Sequence, residues 1–166
     1  MKKLLLLVVL FSAITTLHSF AQDSTKTTPL SQVLNSYYGI KNALVRTDAT
    51  TASTKATEFV KAINDVDMKV LPEADHNAFM AAQDKLKADA QTIVASNKIE
   101  AQRTAFSSLS NNIYILAKAA KLSTATVYQQ YCPMKKMYWL SSEAAIKNPY
   151  YGNMMLTCGK VTETLK

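Results

Sequence analysis

Residues 99–120 read IEAQRTAFSSLSNNIYILAKAA. Buried-type residues recur in this stretch at spacings of three and four, which predicts an α-helix with one face in a core. Three earlier stretches show the same spacing, so we expect helix packing to dominate the fold. The four predicted stripes are Leu30, Val33, Leu34, Tyr37, Ile40 and Leu44; Ala52, Ala56, Phe59, Ile63, Val66 and Val70; Phe79, Ala82, Leu86, Ala90 and Ile93; and Ile99, Gln102, Phe106, Leu109, Ile113, Leu116 and Ala120.

Short breaks separate these stripes. Thr47 or Asp48 can cap the second helix, Pro72 is suited to the first turn of the third, and Ser96-Asn97 precedes the fourth. Short connections favour antiparallel neighbours, so the sequence predicts an all-α fold, an up-down-up-down four-helix bundle over residues 30–121.

Residues 122–166 have a different character. Residues 126–131 and 137–140 are rich in β-branched and aromatic side chains, which favours short extended segments. Residues 141–146 fit one helical turn, and Asn148-Pro149 and Gly152-Asn153 are turn signals. We therefore predict an irregular C-terminal cap, containing the Cys and Met residues, that packs on or beside the bundle within one domain, 30–166.

The first residues have the pattern of a secretory signal. A basic start at residues 1–3 precedes an apolar run over 4–11, and small residues surround a cleavage position after Ala21. We predict a cleaved signal peptide over residues 1–21 and a disordered leader over 22–29. The expected location is the periplasm, with no stable membrane anchor after cleavage.

The formal net charge is +7, and two of the lysines contributing to it lie in the predicted signal. The remaining lysines are scattered singly along the helices, which is typical of solvated faces rather than of a nucleic-acid surface. We expect no nucleic-acid partner.

Catalytic patterns are weak. His18 lies in the predicted signal, so His76 is the one histidine of the mature chain and lacks an evident Ser or Asp partner. With three glycines there is no phosphate-binding loop, and the cysteines do not form a Cys-x-x-Cys motif. We therefore expect no enzymatic activity.

The two cysteines, Cys132 and Cys158, both lie in the predicted cap. In an oxidising compartment such a pair predicts a disulfide, and closing a loop of this length would contribute on the order of 3 kcal/mol. In this alternative the module is structural, and cap aromatics form a partner surface. Those aromatics are Tyr131, Trp139, Tyr150 and Tyr151.

The same cysteines also fit a soft-metal site. Thiolate and thioether sulfurs select Cu(I) over harder ions, and Met134, Met154 and Met155 stand close to the cysteines in sequence. His76 and Met80 are four residues apart on one helix face and could add ligands. Methionines are also common core fillers. Both interpretations need the cysteines close together, so both remain open.

Several segments together resemble a bacterial domain family of unknown function. This family occurs as small exported proteins and at the C-terminus of periplasmic adaptor subunits of copper/silver-type heavy-metal efflux pumps. The segments are 37–44, 76–80, 99–106, 127–134, 138–141, 148–152 and 155–159, nearly spanning the mature chain.

The resemblance implies a role near heavy-metal handling, with an efflux adaptor as partner. Relative to the metal-binding segments of such adaptors, this chain lacks one cysteine and the histidine after Cys-Pro-Met. We expect a periplasmic Cu(I)-binding accessory protein, and the alternative is the disulfide-stapled module. The matching candidate ligands are His76, Met80, Cys132, Met134, Met155 and Cys158.

Overall fold

The structure is a computed structural model, and it describes residues 28–166. The predicted signal peptide, His18 and residues 22–27 of the predicted leader lie outside the described residues. Within the described part, no helix is both long enough and apolar enough to cross a membrane.

Residues 28–166 contain four α-helices, which confirms the predicted helical arrangement. They are α1, Ser31–Val45; α2, Ala49–Asn64; α3, Glu73–Val94; and α4, Ile99–Ala119. The Asp48 side chain caps α2 by accepting hydrogen bonds from the Thr51 N–H at 2.9 Å and the Thr51 hydroxyl at 2.6 Å. Pro72 precedes α3, where Glu73 and Asp75 complement the positive end of the helix dipole.

The second helix ends earlier than its stripe suggests. The Asp67 side chain accepts a hydrogen bond from the Lys69 N–H at 3.0 Å and starts a short 3-10 turn, Met68–Val70. Such local side-chain bonds compete with helix propagation. Val70 is consequently 58% exposed, so its predicted place on the buried stripe is wrong.

Each helix packs on the next one in the chain, and α1 also contacts α4. The predicted apolar stripes form the shared core. The largest core side chains of residues 30–119, each fully buried or nearly so, are Leu30, Tyr37, Ile40, Leu44, Phe59, Ile63, Phe79, Leu86, Ile93 and Phe106.

The C-terminal part is a small antiparallel sheet rather than an irregular cap. Its strands are β1, Val127–Cys132; β2, Met137–Ser141; and β3, Lys160–Leu165, in the order β2-β1-β3. The extended segments predicted near 126–131 and 137–140 are β1 and β2. The all-α prediction is wrong because this sheet, including the unpredicted β3, completes the fold.

The helical turn predicted over residues 141–146 is also wrong. Ser141 belongs to β2, and the next residues form bends. The Gln130 side-chain amide donates to the carbonyls of Glu143 and Ala144 at 2.8 and 3.2 Å. These hydrogen bonds give the two carbonyls a partner in the sheet. The segment therefore does not need the hydrogen bonds of a helical turn, and its backbone is irregular.

The sheet is fixed to the helices by a buried polar junction. The Leu140 N–H of β2 donates to the Tyr37 hydroxyl of α1 at 2.9 Å, and that hydroxyl shares a 2.8 Å hydrogen bond with Ser110 of α4. Trp139 and Leu140 are buried beside this junction. Strand β2 is thus held against α1 and α4, and its pairing with β1 gives the strand end that carries Cys132 a defined position.

Candidate metal centre

Strand pairing brings the two cysteines together at one end of the sheet. Cys132 is the last residue of β1, and Cys158 lies just before β3. Tyr131 pairs with Lys160 in the antiparallel register. The residues that follow Tyr131 and those that precede Lys160 therefore lie next to each other. Both cysteines are free, and Cys132 is close enough to Cys158 to contribute to the raised pKa of the Cys158 thiol.

Gly159 permits this close approach of the strands. A Cβ atom at position 159 would stand 2.9 Å from the Tyr131 carbonyl oxygen and 3.0 Å from the Trp139 ring. Both neighbours are held in place, one by the β1 backbone and the other by the core. The glycine after Cys158 therefore sets the distance between the two cysteine-bearing segments.

The two thiols differ in exposure. Cys132 is 0% exposed, whereas Cys158 is partly open to solvent. Desolvation, followed by the neighbouring Cys132, raises the pKa of the Cys158 thiol, and the Met134 backbone N–H acts in the opposite direction. The Cys158 thiol is therefore protonated at neutral pH, and a bound metal ion would displace that proton.

Three methionines lie on the solvent side of the cysteine pair. Met134 stands in the β1–β2 hairpin loop, and its side chain is 63% exposed. The Met155 carbonyl accepts a hydrogen bond from the Cys158 N–H at 3.1 Å, and Met155 is 37% exposed. Met154 is 72% exposed. Core filling does not explain these methionines, because their side chains are accessible to solvent and their backbones lie in the segments that carry the cysteines.

The hairpin loop that carries Met134 is tied to α4. The Lys135 ammonium lies 3.5 Å from the Glu100 carboxylate and 5.1 Å from the centre of the Tyr151 ring. Glu100 also accepts a hydrogen bond from Arg103 at 2.6 Å, and this bond lowers the pKa of the carboxyl group. An ionised Glu100 thus anchors the loop beside the cysteines.

Asn148 holds the segment that carries Cys158. Its side-chain amide donates to the Cys158 carbonyl at 2.7 Å, and its side-chain oxygen accepts from the Tyr150 N–H at 2.8 Å. Its backbone N–H donates to the Leu156 carbonyl at 2.8 Å. Asn148 is 0% exposed, so these bonds are shielded from water and fix the Cys158 backbone.

Arg103 fastens this same segment to the helices. Its Nε donates to the Pro149 carbonyl at 2.9 Å, and its Nη2 donates to Thr47 Oγ1 at 3.1 Å. Gly152, with a φ of +56°, passes so close that a Cβ there would stand 2.9 Å from Arg103 Nη2. The sequence analysis did not identify Arg103 as a functional residue. The one indication in the sequence was that this charged residue follows Gln102, which belongs to the predicted buried stripe.

His76 and Met80 lie elsewhere. Asp75, next to His76, lines a hollow with Val127 and Leu165, at the opposite end of β1 from Cys132. The length of β1 separates the two ends by roughly 16 Å. The Met80 sulfur accepts a hydrogen bond from the Gln83 amide at 3.1 Å. The structure therefore does not bring this pair to the cysteines.

Among residues 28–166, no group of three or more His, Cys, Asp or Glu side chains could hold a metal ion. Candidate ligands at the cysteine end are consequently the two thiols and the neighbouring thioethers. This sulfur set suits a soft ion of low coordination number.

The predicted aromatic surface is wrong for two of its members. Trp139 and Tyr150 are each 1% exposed and pack edge to face, with ring centres 5.9 Å apart. The Tyr150 hydroxyl donates to the Tyr138 carbonyl, which keeps its polar end satisfied inside the core. Tyr131 and Tyr151 are half-buried and remain accessible in part.

A family model described as "Protein of unknown function (DUF3347)" matches residues 33–125. The match covers more than half of the chain, which therefore belongs to this family. It begins inside α1, includes α2 to α4 and ends before β1, so the cysteine pair lies outside the matched range. Neither a curated protein nor a solved structure matches the chain.

Proposed function

We propose that this member of the DUF3347 family is a periplasmic accessory protein that binds Cu(I) in heavy-metal efflux or homeostasis. The observation that carries the proposal is that the β1–β3 register and the close packing at Gly159 bring the segments of Cys132 and Cys158 together, with exposed methionines in the same two segments. In this role the two thiols are the principal ligands. Met134 and Met155 supply thioether sulfurs on the solvent side.

The number and type of ligands favour Cu(I). Structural zinc sites use four ligands drawn from Cys, His and carboxylates, and no group of three such residues is available among residues 28–166. Cu(I) accepts soft sulfur ligands, including the uncharged thioether of methionine. Two thiolates and one or two thioethers make a complete Cu(I) set without His76 or Met80.

The charges around the pair fit a metal–dithiolate complex. Two thiolates and one Cu(I) ion carry a net charge of −1, and Lys135 and Lys136 follow Met134 directly in the hairpin loop. The Lys135 ammonium is held in place by Glu100, so its charge has a defined position. An ammonium near the complex offsets its negative charge.

Export and the link to efflux rest on the sequence. Residues 1–21 have the pattern of a cleaved signal, which supports a periplasmic location. The resemblance to domains at the C-terminus of heavy-metal efflux adaptors supports an adaptor as the partner that receives the metal. Exposed thioethers provide a surface from which such a partner could take the ion.

A second candidate function uses the same pair of cysteines. A Cys132–Cys158 disulfide would join the ends of β1 and β3 and make the protein a structural or protein-interaction module. The close approach at Gly159 favours this alternative, since it holds the cysteine segments together whether or not metal is present. Such a bond would contribute on the order of 3 kcal/mol to stability.

The test is a Cu(I) titration against a competing chelator, together with a thiol count on the exported protein. We expect two free thiols and one bound Cu(I) ion per chain. Cys132→Ser and Cys158→Ser should each weaken binding at least a hundredfold, and the double variant Met134→Leu/Met155→Leu should weaken it less.

His76→Ala and Met80→Leu are the matched controls and should bind as the unmodified protein does. Unchanged affinity in both cysteine variants would end the Cu(I) proposal. Zero free thiols, no bound copper and a lower melting temperature on reduction would instead support the disulfide module.

A further inference from the structure

We propose that the cysteine pair is an ordered dithiol–disulfide switch that controls metal loading. In this switch Cys158 reacts first with a disulfide oxidant, and Cys132 closes the bond from the interior. The control of metal loading rests on the proposed Cu(I) function. The order of the two cysteines rests on geometry alone and can be tested without metal.

Unequal exposure sets the order. Cys132 is 0% exposed at the end of β1, so an external disulfide cannot reach its sulfur in the folded protein. Cys158 is partly exposed and precedes β3 in a turn whose neighbours, Met154 and Leu156, are 72% and 37% exposed. An incoming oxidant therefore meets Cys158 first.

The backbone on both sides keeps the second thiol within reach. Asn148 holds the Cys158 carbonyl at 2.7 Å, and the register of β1 and β3 fixes Cys132 opposite this segment. Gly159, next to Cys158, passes so close to Tyr131, next to Cys132, that a Cβ at position 159 would stand 2.9 Å from the Tyr131 carbonyl oxygen. Attack by Cys132 therefore requires reorientation of side chains rather than separation or refolding of strands.

The chemistry is two thiol–disulfide exchanges. The Cys158 thiol loses its proton to solvent, and its sulfur attacks one sulfur of the oxidant, releasing the other half as a thiol. The Cys132 sulfur then attacks Cys158 Sγ in the mixed disulfide and releases the second thiol. The protein loses two electrons and two protons, and the oxidant, a low-molecular-weight or protein disulfide, gains them.

Metal and oxidant would compete for the same sulfurs. The disulfide removes both thiolates and leaves the methionine thioethers, which cannot hold Cu(I) alone as tightly. A bound Cu(I) ion, in turn, occupies Cys158 and blocks the first exchange. Oxidation would therefore release the metal, and metal would protect the pair from oxidation.

The test uses glutathione disulfide as the oxidant and intact-protein mass spectrometry as the readout. We expect Cys132→Ser to retain one glutathione on Cys158, because the closing thiol is absent. Cys158→Ser should remain unmodified while folded and gain one glutathione in denaturant, which shows that Cys132 is shielded rather than unreactive. The unmodified protein should lose two hydrogens without accumulating the mixed disulfide.

Equal labelling of the two folded variants would overturn the proposed order, as would a mixed disulfide that persists in the unmodified protein. A second arm repeats the exchange on Cu(I)-loaded protein and should show at least tenfold slower oxidation. Equal rates with bound Cu(I) would overturn the control of loading. Failure to bind Cu(I) would overturn the proposed function and this control, while the metal-free arm still decides the order.

Discussion

The helical part, residues 31–119, and the sheet part, residues 127–165, are stabilised in different ways. Periodic apolar stripes build the helical core. Many apolar contacts contribute to its stability, so each single contact contributes a small part. The sheet part is fastened by a few buried polar groups, among them Arg103, Asn148 and Tyr37. Each of those groups makes hydrogen bonds to a different backbone segment of the sheet part, and together they position the cysteine pair.

Two glycines offer the sharpest test of this difference. Gly152→Ala places a Cβ 2.5 Å from Thr47 Oγ1 and 2.9 Å from the Val45 carbonyl at a φ of +56°. Backbone strain and overpacking together should cost about 2–5 kcal/mol. The measurement is the free energy of unfolding in urea.

Gly39→Ala is the matched control in the helical part. Its new Cβ would meet the flexible Lys55 side chain at 3.2 Å, and alanine favours the interior of α1. We expect a gain of roughly 0.5–1 kcal/mol. Similar effects of the two substitutions would contradict the contrast between the parts.

Arg103→Met should have the next largest effect. It removes the donor to the buried Pro149 carbonyl and leaves Glu100 without its closest partner, whereas the Leu44 carbonyl keeps the Thr47 N–H as a donor. An unsatisfied buried carbonyl costs about 1–3 kcal/mol, so we expect a loss of that size in urea unfolding. Cys158 should also become more reactive toward a thiol reagent. A loss of unfolding free energy below about 1 kcal/mol would show that Arg103 does not hold the Pro149 segment against the helices.

Lys41, buried between α1 and β2, should make the free energy of unfolding depend on pH. Burial lowers the pKa of Lys41 to about 8. The nearby Glu143 carboxylate opposes this shift, and the like charge of Lys147 adds to it. The folded state thus holds its proton less tightly than the unfolded chain, so stability rises as the pH increases above 8. We expect a gain of about 2 kcal/mol between pH 7 and 9.5.

Lys41→Met should remove this slope and stabilise the protein at pH 7. The measurement is urea unfolding at several pH values below 9.5, where the buried tyrosines stay protonated. A slope that persists in Lys41→Met would assign the pH dependence to other groups.

The smallest effect is expected at an exposed contact between the parts. Glu163 of β3 accepts hydrogen bonds from Lys118 and Tyr114 of α4, both at 2.6 Å. Because the pair is solvated, Lys118→Ala should leave the midpoint of urea unfolding within experimental scatter, at low and high salt alike. A clear shift would mean that surface charge also fastens the sheet.

The helices could be predicted because their signal is repeated. In α1 the stripe from Leu30 to Leu44 is buried as its spacing indicates, and the same holds for Phe106, Leu109 and Ile113 in α4. Each stripe offers several independent indications of one face. The end of α2 was misplaced because one side-chain bond from Asp67 overrides the pattern.

The candidate site could be predicted only in part. Placing Cys132, Cys158 and their neighbouring methionines together required only that the cap be compact. Strand β3 was missed although Val161, Thr162 and Thr164 are β-branched. Excluding His76 and Met80 from the site, and assigning Trp139 and Tyr150 to the core, depended on the strand register, which no local pattern encodes.

X-ray absorption at the copper edge of the Cu(I)-loaded protein tests the central claim most directly. We predict a coordination shell of sulfur atoms alone, two from cysteines and one or two from methionines, that is unchanged in His76→Ala. Replacing Met134 and Met155 with leucine should remove sulfur from that shell. A shell containing nitrogen, or a chain with two free thiols that retains no copper, would contradict the account.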